Sequence, residues 1–215
     1  MNKVYFISGL GADKRVFSFL NLSFCEPVFI EWITPLKKES LKSYASRLRS
    51  FITGPNPVIV GISFGGMLVT EMAKADKNIK AIIISSNKTT SEFPWYLKIG
   101  KYLPAYKIIP SSILKKLMMA TRWLLGAKSE EQKRVLRNII NDTDIRFTKW
   151  AINAILNWKN KQVPENLIHI HGTADKLLRY RFVKPNYTII DGTHIMPMDK
   201  HEELSKLLYK LTQKE

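Results

Sequence analysis

The stretch from 57 to 73 constrains the fold of this chain more than any other. Four apolar residues within 58–62, interrupted only by Gly61, are typical of a strand buried on both faces, as parallel strands between helix layers are. After Gly66 the apolar residues recur at helical spacing. The strand therefore gives way to a helix within a few residues, and Ser63 lies at the bend.

Two glycines, Gly61 and Gly65, flank Ser63 in the pattern Gly-x-Ser-x-Gly. A serine on so sharp a bend has strained backbone dihedrals, and a Cβ two residues before or after it would collide with the neighbouring strand or helix. Ser63 is also at a helix N-terminus, where free N–H groups and the helix dipole favour negative charge. The pattern predicts a nucleophilic serine; the alternative is an ordinary tight turn in which Ser63 caps the helix.

The rest of the chain alternates between strand and helix patterns. Further strands are predicted at 3–8, 27–33, 79–85, 167–171 and 187–190, with helices at 40–52 and 202–211. Asp13 is expected to cap another helix that carries Val16, Phe17 and Leu20. Six strands alternating with helices imply an α/β fold with a parallel sheet and right-handed crossovers.

The alternation stops between 91 and 161, where only helical patterns occur. Helices are predicted at 96–102, 111–125, 129–140 and 144–158. The simplest interpretation is an all-helical cap over one end of the sheet, inserted between two core segments, 1–90 and 162–215.

The formal net charge of +16 is a separate clue to partners. Such an excess favours contact with nucleic acid or anionic membranes. The lysines are spread over the whole length, however, and no nucleic-acid motif is present, so nucleic-acid binding is not the leading expectation. A basic-surface binder of nucleic acid or membrane stays open as an alternative function.

Composition also indicates the cellular compartment. Hydrophobic content of 45% and charged content of 24% are typical of a soluble globular protein, and no apolar run is long enough to span a membrane. The first residues lead directly into a strand, so a secretory signal is not expected. Cys25 is the only cysteine, which excludes an intramolecular disulfide and agrees with the cytoplasm. Without a metal-ligand cluster or a cofactor motif, neither a metal nor a cofactor is expected.

A nucleophilic serine needs a base within hydrogen-bond reach and an acid that orients the base. Of the four histidines, His169 and His171 alternate along a strand and are expected to face the core or backbone partners. His201 lies in the first turn of the last helix, where solvent is the expected neighbour. His194 remains, in a loop after the last strand, at the end of the sheet where α/β proteins bind ligands.

For the acid, Asp175 follows the strand that ends at His171. The order Ser63, Asp175, His194 is the one expected with a nucleophile elbow. Asp191 is the rival, but it lies three residues from His194 in one tight loop and can hardly reach the far nitrogen of the imidazole.

A glycine-rich turn, 9–11, follows the first strand and leaves backbone N–H groups free to face an anion. It lacks the third glycine of the dinucleotide fingerprint and the lysine of a P-loop, so a phosphate site is not favoured.

Four segments in this order resemble those of the α/β-hydrolases, and the resemblance covers nearly the whole chain. They are the oxyanion loop at 8–11, the nucleophile elbow at 61–66, the His-Gly-x-x-Asp acid turn at 171–175 and the histidine loop at 192–194. Two departures concern Ser8, where many members have histidine, and Leu178-Arg179, which replace the proline common just after the acid turn.

The resemblance implies a three-layer fold with six strands, mostly or all parallel, in the order 2-1-3-4-5-6. The chain begins too late to hold the first two strands of the family's sheet. The resemblance further implies a triad of Ser63, His194 and Asp175, with the backbone N–H groups of Leu10 and Phe64 as the oxyanion hole.

The leading hypothesis is therefore a serine hydrolase acting on an ester or thioester of a small, largely apolar acyl substrate. Four residues of the cap, Trp95, Met118, Met119 and Trp123, are expected to line an apolar pocket. Thioester and C–C bond hydrolysis use the same triad, and the fold does not choose among them. A small-ligand sensor that keeps the fold without turnover is the alternative of another class; the oligomeric state is left open.

Overall fold

The computed structural model describes residues 2–100, 102, 106 and 108–213. Its centre is one six-stranded sheet in the order β2-β1-β3-β4-β5-β6, in which every neighbouring pair is parallel. The strands are β1 (Lys3–Ile7), β2 (Glu26–Ile30), β3 (Val58–Ile62), β4 (Lys80–Ile84), β5 (Leu167–Gly172) and β6 (Tyr187–Ile189). The predicted strand number and order are confirmed.

Helices connect these strands. They are α1 (Leu41–Arg49), α2 (Phe64–Ala75), α3 (Trp95–Gly100), α4 (Ser111–Thr121), α5 (Glu130–Asp142), α6 (Ile145–Leu156), α7 (Met196–Asp199) and α8 (His201–Thr212). Between β4 and β5 the described residues form α3 to α6 and short 3₁₀ turns but no strand, as predicted. Part of the predicted helix 96–102, residue 101, lies outside the described residues.

The sheet is covered on both faces because its strands are apolar on both faces. In β1, Tyr5 and Ile7 pack with α1 and α2, whereas Val4 and Phe6 pack on the opposite side with α8. The neighbouring strands β3 and β4 alternate in the same way. This produces the three layers that the sequence predicts.

The last inserted helix, α6, packs as part of the core. Its Phe147, Ala151 and Ala154 belong to the same buried cluster as α1, α2 and one face of the sheet. Just beyond the helix, the buried Trp158 indole donates to the Glu71 carboxylate at 2.7 Å. Helix α6 therefore packs against the core, and the division of the chain into a core and a cap over 91–161 stays a prediction.

One predicted helix is shorter than expected. After Asp13 the chain forms only a 3₁₀ turn at Lys14–Phe17. Asp13 caps it, since its carboxylate accepts from the Arg15 N–H at 2.9 Å, and the Ser18 hydroxyl donates to the Arg15 carbonyl at 2.8 Å. These two local bonds satisfy the turn at both ends, and the helix does not continue to Leu20.

The connection from β3 to α2 is as tight as the glycine pattern predicts. Ser63 has φ 53° and ψ −116°, outside the regions that a serine ordinarily adopts. A Cβ on Gly61 would lie 2.6 Å from the Gly65 carbonyl oxygen, and a Cβ on Gly65 would overlap the carbonyls of Ile7 and Ser8. The strand and the helix can approach this closely only because both positions are glycine.

The first prediction concerns this contact. We expect Gly65→Ala to lower the free energy of unfolding by about 2 kcal/mol or more, because the new methyl group meets rigid backbone atoms. Gly100→Ala is the matched control, since its Cβ would meet only the Leu156 side chain at 3.4 Å, and we expect a change within about 0.5 kcal/mol. Urea denaturation measures both, and equal effects would contradict the packing described here.

Candidate active site

Ser63 lies at the carboxyl end of β3, and its backbone N–H and carbonyl are both hydrogen-bonded to residues at or just after the end of β4. Its N–H donates to the Ile84 carbonyl at 2.9 Å, and the Ser86 hydroxyl donates to the Ser63 carbonyl at 2.7 Å. These bonds fix the unusual backbone conformation of Ser63 and leave its side chain facing the end of the sheet.

The histidine and the acid predicted from the sequence meet Ser63 at this end. His194 Nε2 lies 2.9 Å from Ser63 Oγ, and His194 Nδ1 lies 2.8 Å from Asp175 Oδ2. An ionised carboxylate only accepts hydrogen bonds, so Nδ1 carries the proton of the neutral ring. Nε2 is then free to accept the hydrogen bond of the Ser63 hydroxyl, which is the arrangement a general base requires.

Asp175 is buried and fully hydrogen-bonded. Besides His194, its carboxylate accepts the N–H groups of Leu177 at 2.9 Å and Leu178 at 2.7 Å. Burial raises the pKa of Asp175, but the charge and hydrogen bond of His194, with His171 and the Leu178 N–H, outweigh it, and the net pKa is lowered. The Leu178 N–H does what a proline at that position could not do, because proline has no N–H.

The rival acid, Asp191, lies elsewhere. It is exposed, with φ 55°, and its backbone N–H donates to the Thr173 hydroxyl at 2.8 Å. The loop bearing His194 is instead braced from α7, where the Asp199 carboxylate accepts the Thr193 N–H at 3.2 Å.

The loop after β1 lies directly against Ser63. A Cβ on Gly9 would be 3.4 Å from Ser63 Cβ, so a larger residue there would crowd the serine. Neither the Leu10 N–H nor the Phe64 N–H donates to an acceptor within the described ranges 2–100, 102, 106 and 108–213. The two groups predicted for the oxyanion hole are thus available for a ligand atom.

Three side chains hold this loop by its carbonyl groups. The Ser8 hydroxyl and the Trp32 indole both donate to the Ala12 carbonyl, at 2.8 and 2.7 Å, and the Thr143 hydroxyl donates to the Gly11 carbonyl at 2.6 Å. Ser8, a departure from the family pattern, therefore supports the loop through its own hydrogen bond. Trp32 and Thr143 could not be identified from the sequence, since neither belongs to a motif.

An apolar cavity of about 230 Å³ opens at Ser63 and His194. Its far wall comes from α4, α5 and the residues between them, chiefly Met118, Leu124, Leu125, Leu136 and Ile140. A larger cleft of about 630 Å³, lined by Trp32, Phe147 and Trp150, contains none of the three residues Ser63, Asp175 and His194.

The expected pocket residues fall in different places. Met118 lines the cavity, whereas Trp95, Met119 and Trp123 are not among its described lining residues, so a role for these three in binding substrate stays a prediction. Trp95 and Trp123 are exposed, and the Trp123 ring contacts Lys176. On α4 the inward face carries Leu114 and Met118, and Met119, one residue further along, is rotated away from it.

Two buried histidines extend the hydrogen-bonded array behind Asp175. His171 Nε2 lies 2.7 Å from the Leu178 carbonyl and 3.4 Å from Asp175 Oδ2, and His169 Nε2 lies 3.1 Å from His171 Nδ1. Since a carbonyl only accepts, His171 carries its proton on Nε2, and its Nδ1 accepts from His169. Their alternation on β5 and the spacing from His171 to Asp175 were the available sequence signal for this array.

Burial sets the protonation of both rings. It lowers the pKa of His171, and it lowers the pKa of His169 well below the usual value. His169 Nδ1 is buried without a hydrogen-bond partner in the described part of the chain. Both rings are therefore neutral, so neither places a positive charge next to the Asp175 carboxylate to compete with His194.

A pH dependence of stability follows. When the folded-state pKa of a histidine is lowered, the unfolded chain binds the proton first as the pH falls below 6.5, so the free energy of unfolding decreases there. Each such histidine contributes a slope of up to about 1.4 kcal/mol per pH unit. We expect His169→Gln to reduce the decrease in the free energy of unfolding between about pH 6.5 and pH 5, and its amide can replace the hydrogen-bond donor to His171.

The measurement is urea denaturation across this pH range. His201→Gln is the matched control, because His201 is partly exposed on α8, and it should leave the slope unchanged. Two results would contradict a neutral buried pair of His169 and His171. One is a wild-type free energy of unfolding that stays constant or increases toward pH 5. The other is the same dependence on pH in the wild type and in His169→Gln.

Two kinds of feature are absent from the described residues. No group of three or more His, Cys, Asp or Glu side chains with metal-binding geometry occurs among them. In that same part of the chain, no helix has the length and apolar character needed to cross a bilayer.

Comparison with known proteins depends on structure, because no protein-family model and no curated protein matches the sequence. An esterase from Exiguobacterium antarcticum is similar with a TM-score of 0.75 and 13% identity, covering 99% of this chain and 92% of that one. A thermophilic esterase from Thermogutta terrifontis has a TM-score of 0.70 and 13% identity, covering 99% and 91%.

A Bacillus megaterium epoxide hydrolase has a TM-score of 0.70 and 12% identity, covering 100% of this chain and 94% of that one. Identities this low establish the fold alone. The chain has the fold of the α/β-hydrolase superfamily.

Proposed function

We propose that the protein is a serine hydrolase that cleaves an ester or thioester of a small, largely apolar acyl group. The observation that carries the proposal is the continuous hydrogen-bonded series from Ser63 through His194 to Asp175. A tight-turn serine that merely caps a helix has no need of this series, and the Ser63 side chain makes no capping hydrogen bond.

In the proposed reaction, Ser63 Oγ attacks the carbonyl carbon while His194 Nε2 takes the hydroxyl proton. The resulting oxyanion accepts hydrogen bonds from the N–H groups of Leu10 and Phe64, at the positive end of α2. His194 returns the proton to the leaving alcohol or thiol, which leaves an acyl ester on Ser63. Water, activated by the same imidazole, then hydrolyses this ester and restores the serine.

Asp175 acts through His194. Its charge holds the proton on Nδ1 and stabilises the imidazolium that forms during each proton transfer. The lowered pKa of Asp175 keeps the carboxylate ionised at neutral pH.

The cavity supports the choice of a small acyl group. At about 230 Å³ it is smaller than the roughly 300–1,000 Å³ typical of pockets for drug-sized ligands, and most of its described lining is apolar. We infer that α4 and α5 act as the cap, since residues of both helices line this cavity beside Ser63. Esterases among the structural neighbours support ester chemistry over the other reactions this fold carries out.

The alternative is a small-ligand sensor on the same fold. The apolar cavity at Ser63 supports it, since a small ligand can bind there without turnover. The expected setting for either function is the cytoplasm, because the only cysteine, Cys25, is a buried free thiol.

The direct test uses Ser63→Ala. We expect the variant to lose labelling by a fluorophosphonate probe and to lose at least about 10⁴-fold in kcat/KM on a short-chain p-nitrophenyl ester. Ser46→Ala, an exposed serine on α1, should match the wild type. If the wild type neither reacts with the probe nor turns over esters and thioesters of varied length, the sensor replaces the enzyme.

A second test asks whether the cavity holds the acyl group. We expect Met118→Trp to fill part of the cavity and to lower kcat/KM for the longest accepted acyl chain about tenfold or more relative to acetyl. Met119→Trp adds the same volume one residue away, outside the cavity lining, and should keep the wild-type preference. The same shift in both variants, or in neither, would show that acyl groups bind elsewhere.

A further inference from the structure

The segment between Glu92 and Glu130 has an unusual charge composition. It contains no Asp or Glu over residues 93–129. It contains seven cationic residues: Lys98, Lys101, Lys107, Lys115, Lys116, Arg122 and Lys128. The charge of this part of the chain is therefore of one sign, unlike the core segments, where acidic residues are interspersed.

The same segment exposes large apolar side chains. Seven of the thirteen exposed large apolar residues in the described structure belong to it: Trp95, Ile99, Tyr102, Ile108, Ile113, Leu117 and Trp123. More than half of the exposed apolar side chains thus occur in about a sixth of the chain. Scattered exposed apolar residues are normal, but such a concentration indicates an interaction surface.

Helix α4 shows how these side chains are arranged. Leu114 and Met118 face inward, toward the core and the cavity, whereas Ile113 and Leu117, one turn apart, are 53% and 49% exposed. Lys116 is exposed next to Leu117. The helix is therefore apolar on two sides, and its outer stripe combines aliphatic and cationic side chains.

The elements on either side of α4 also expose large apolar side chains. Trp123, directly after α4, is 61% exposed, and Lys176 Nζ lies 5.5 Å from its ring centroid. On α3, Trp95 and Ile99 are exposed one turn apart, and α3 and α4 both contact α6. We call the exposed surface of α4 and the turn directly after it, with Ile113, Lys116, Leu117 and Trp123, the basic apolar face.

We propose that the basic apolar face docks on the surface of an anionic lipid bilayer. Aliphatic side chains and tryptophan enter the interface between headgroups and acyl chains, while lysine and arginine beside them bind anionic headgroups. The interface of an anionic bilayer accommodates both the exposed apolar side chains and the positive charge of the basic apolar face. It also brings the cavity, whose wall includes Met118 on the same helix, close to the lipid surface.

Charge argues against two other occupants. A second copy of the chain would bring two faces of the same sign together, with no acidic residue of the segment to pair with them. Nucleic acid would match the cations but makes no use of exposed Ile113 and Leu117, since its phosphates are bound by charge and polar groups.

The test is co-sedimentation with vesicles, supported by tryptophan fluorescence. We expect the wild type to sediment with vesicles of equal parts phosphatidylcholine and phosphatidylglycerol, with a blue shift in emission, and not with phosphatidylcholine alone. High salt should weaken the binding. The triple variant Ile113→Ser, Leu117→Ser, Trp123→Ser should bind the anionic vesicles about tenfold or more weakly, because the inserted apolar area is lost.

A matched control removes equally exposed apolar residues from outside the segment. The triple variant Phe51→Ser, Val163→Ser, Ile190→Ser should bind like the wild type, as should Ser63→Ala, which separates docking from the proposed catalysis. Circular dichroism of each variant establishes that it is folded. Lys116→Glu, which changes the charge and leaves the apolar residues in place, should also weaken binding to the anionic vesicles.

Two results would overturn the proposal: a wild type that does not bind the anionic vesicles, or equal binding by the two triple variants. If the wild type does not bind vesicles, a dimer in sedimentation velocity that the first triple variant abolishes would assign the face to a second copy. A gel shift with nucleic acid that Lys116→Glu abolishes would assign it to nucleic acid.

Discussion

The close approach of β3 and α2 is the constraint on which the site depends. Gly61 and Gly65 touch across the bend, and Ser63 between them is held in a strained conformation by hydrogen bonds to Ile84, the last residue of β4, and to Ser86 in the loop after β4. Strain of this kind persists only where the surroundings determine it. Here the buried sheet provides those surroundings, so the position of one hydroxyl group is fixed by the whole α/β core.

The electrostatic part of the site is equally dependent on burial. Asp175 would be an unfavourable charge inside the protein without its two backbone N–H donors and His194. His171 and His169 fill the space behind it as neutral rings, a polar but uncharged support. A cation at either position would compete with His194 for the carboxylate, whereas neutral imidazoles leave the charge directed toward the base.

The sequence predicted the structure best where a local residue pattern agreed with a general rule of α/β folds. Apolar runs between turns indicated six strands, and the family resemblance supplied their order. Ser63, Asp175 and His194 were identifiable because each follows a strand at its carboxyl end. Trp32 and Thr143 were not, since their hydrogen bonds to the loop after β1 arise from tertiary packing. Trp and Met content alone does not say which side of a helix faces the cavity, and the helical pattern of α6 does not reveal that it packs on α1.

Thr143 connects the wall of the cavity to the loop beside Ser63. It follows α5, whose inner side forms part of the cavity wall, and its hydroxyl grips the Gly11 carbonyl beside the serine. This hydrogen bond joins the end of α5 to the loop after β1, beside the ion pair of Arg15 with Asp142 and the bond from the Gln132 amide to the Met198 carbonyl. A displacement of α5 would therefore also displace the backbone next to Leu10, so a change in the shape of the cavity would change the position of the Leu10 N–H.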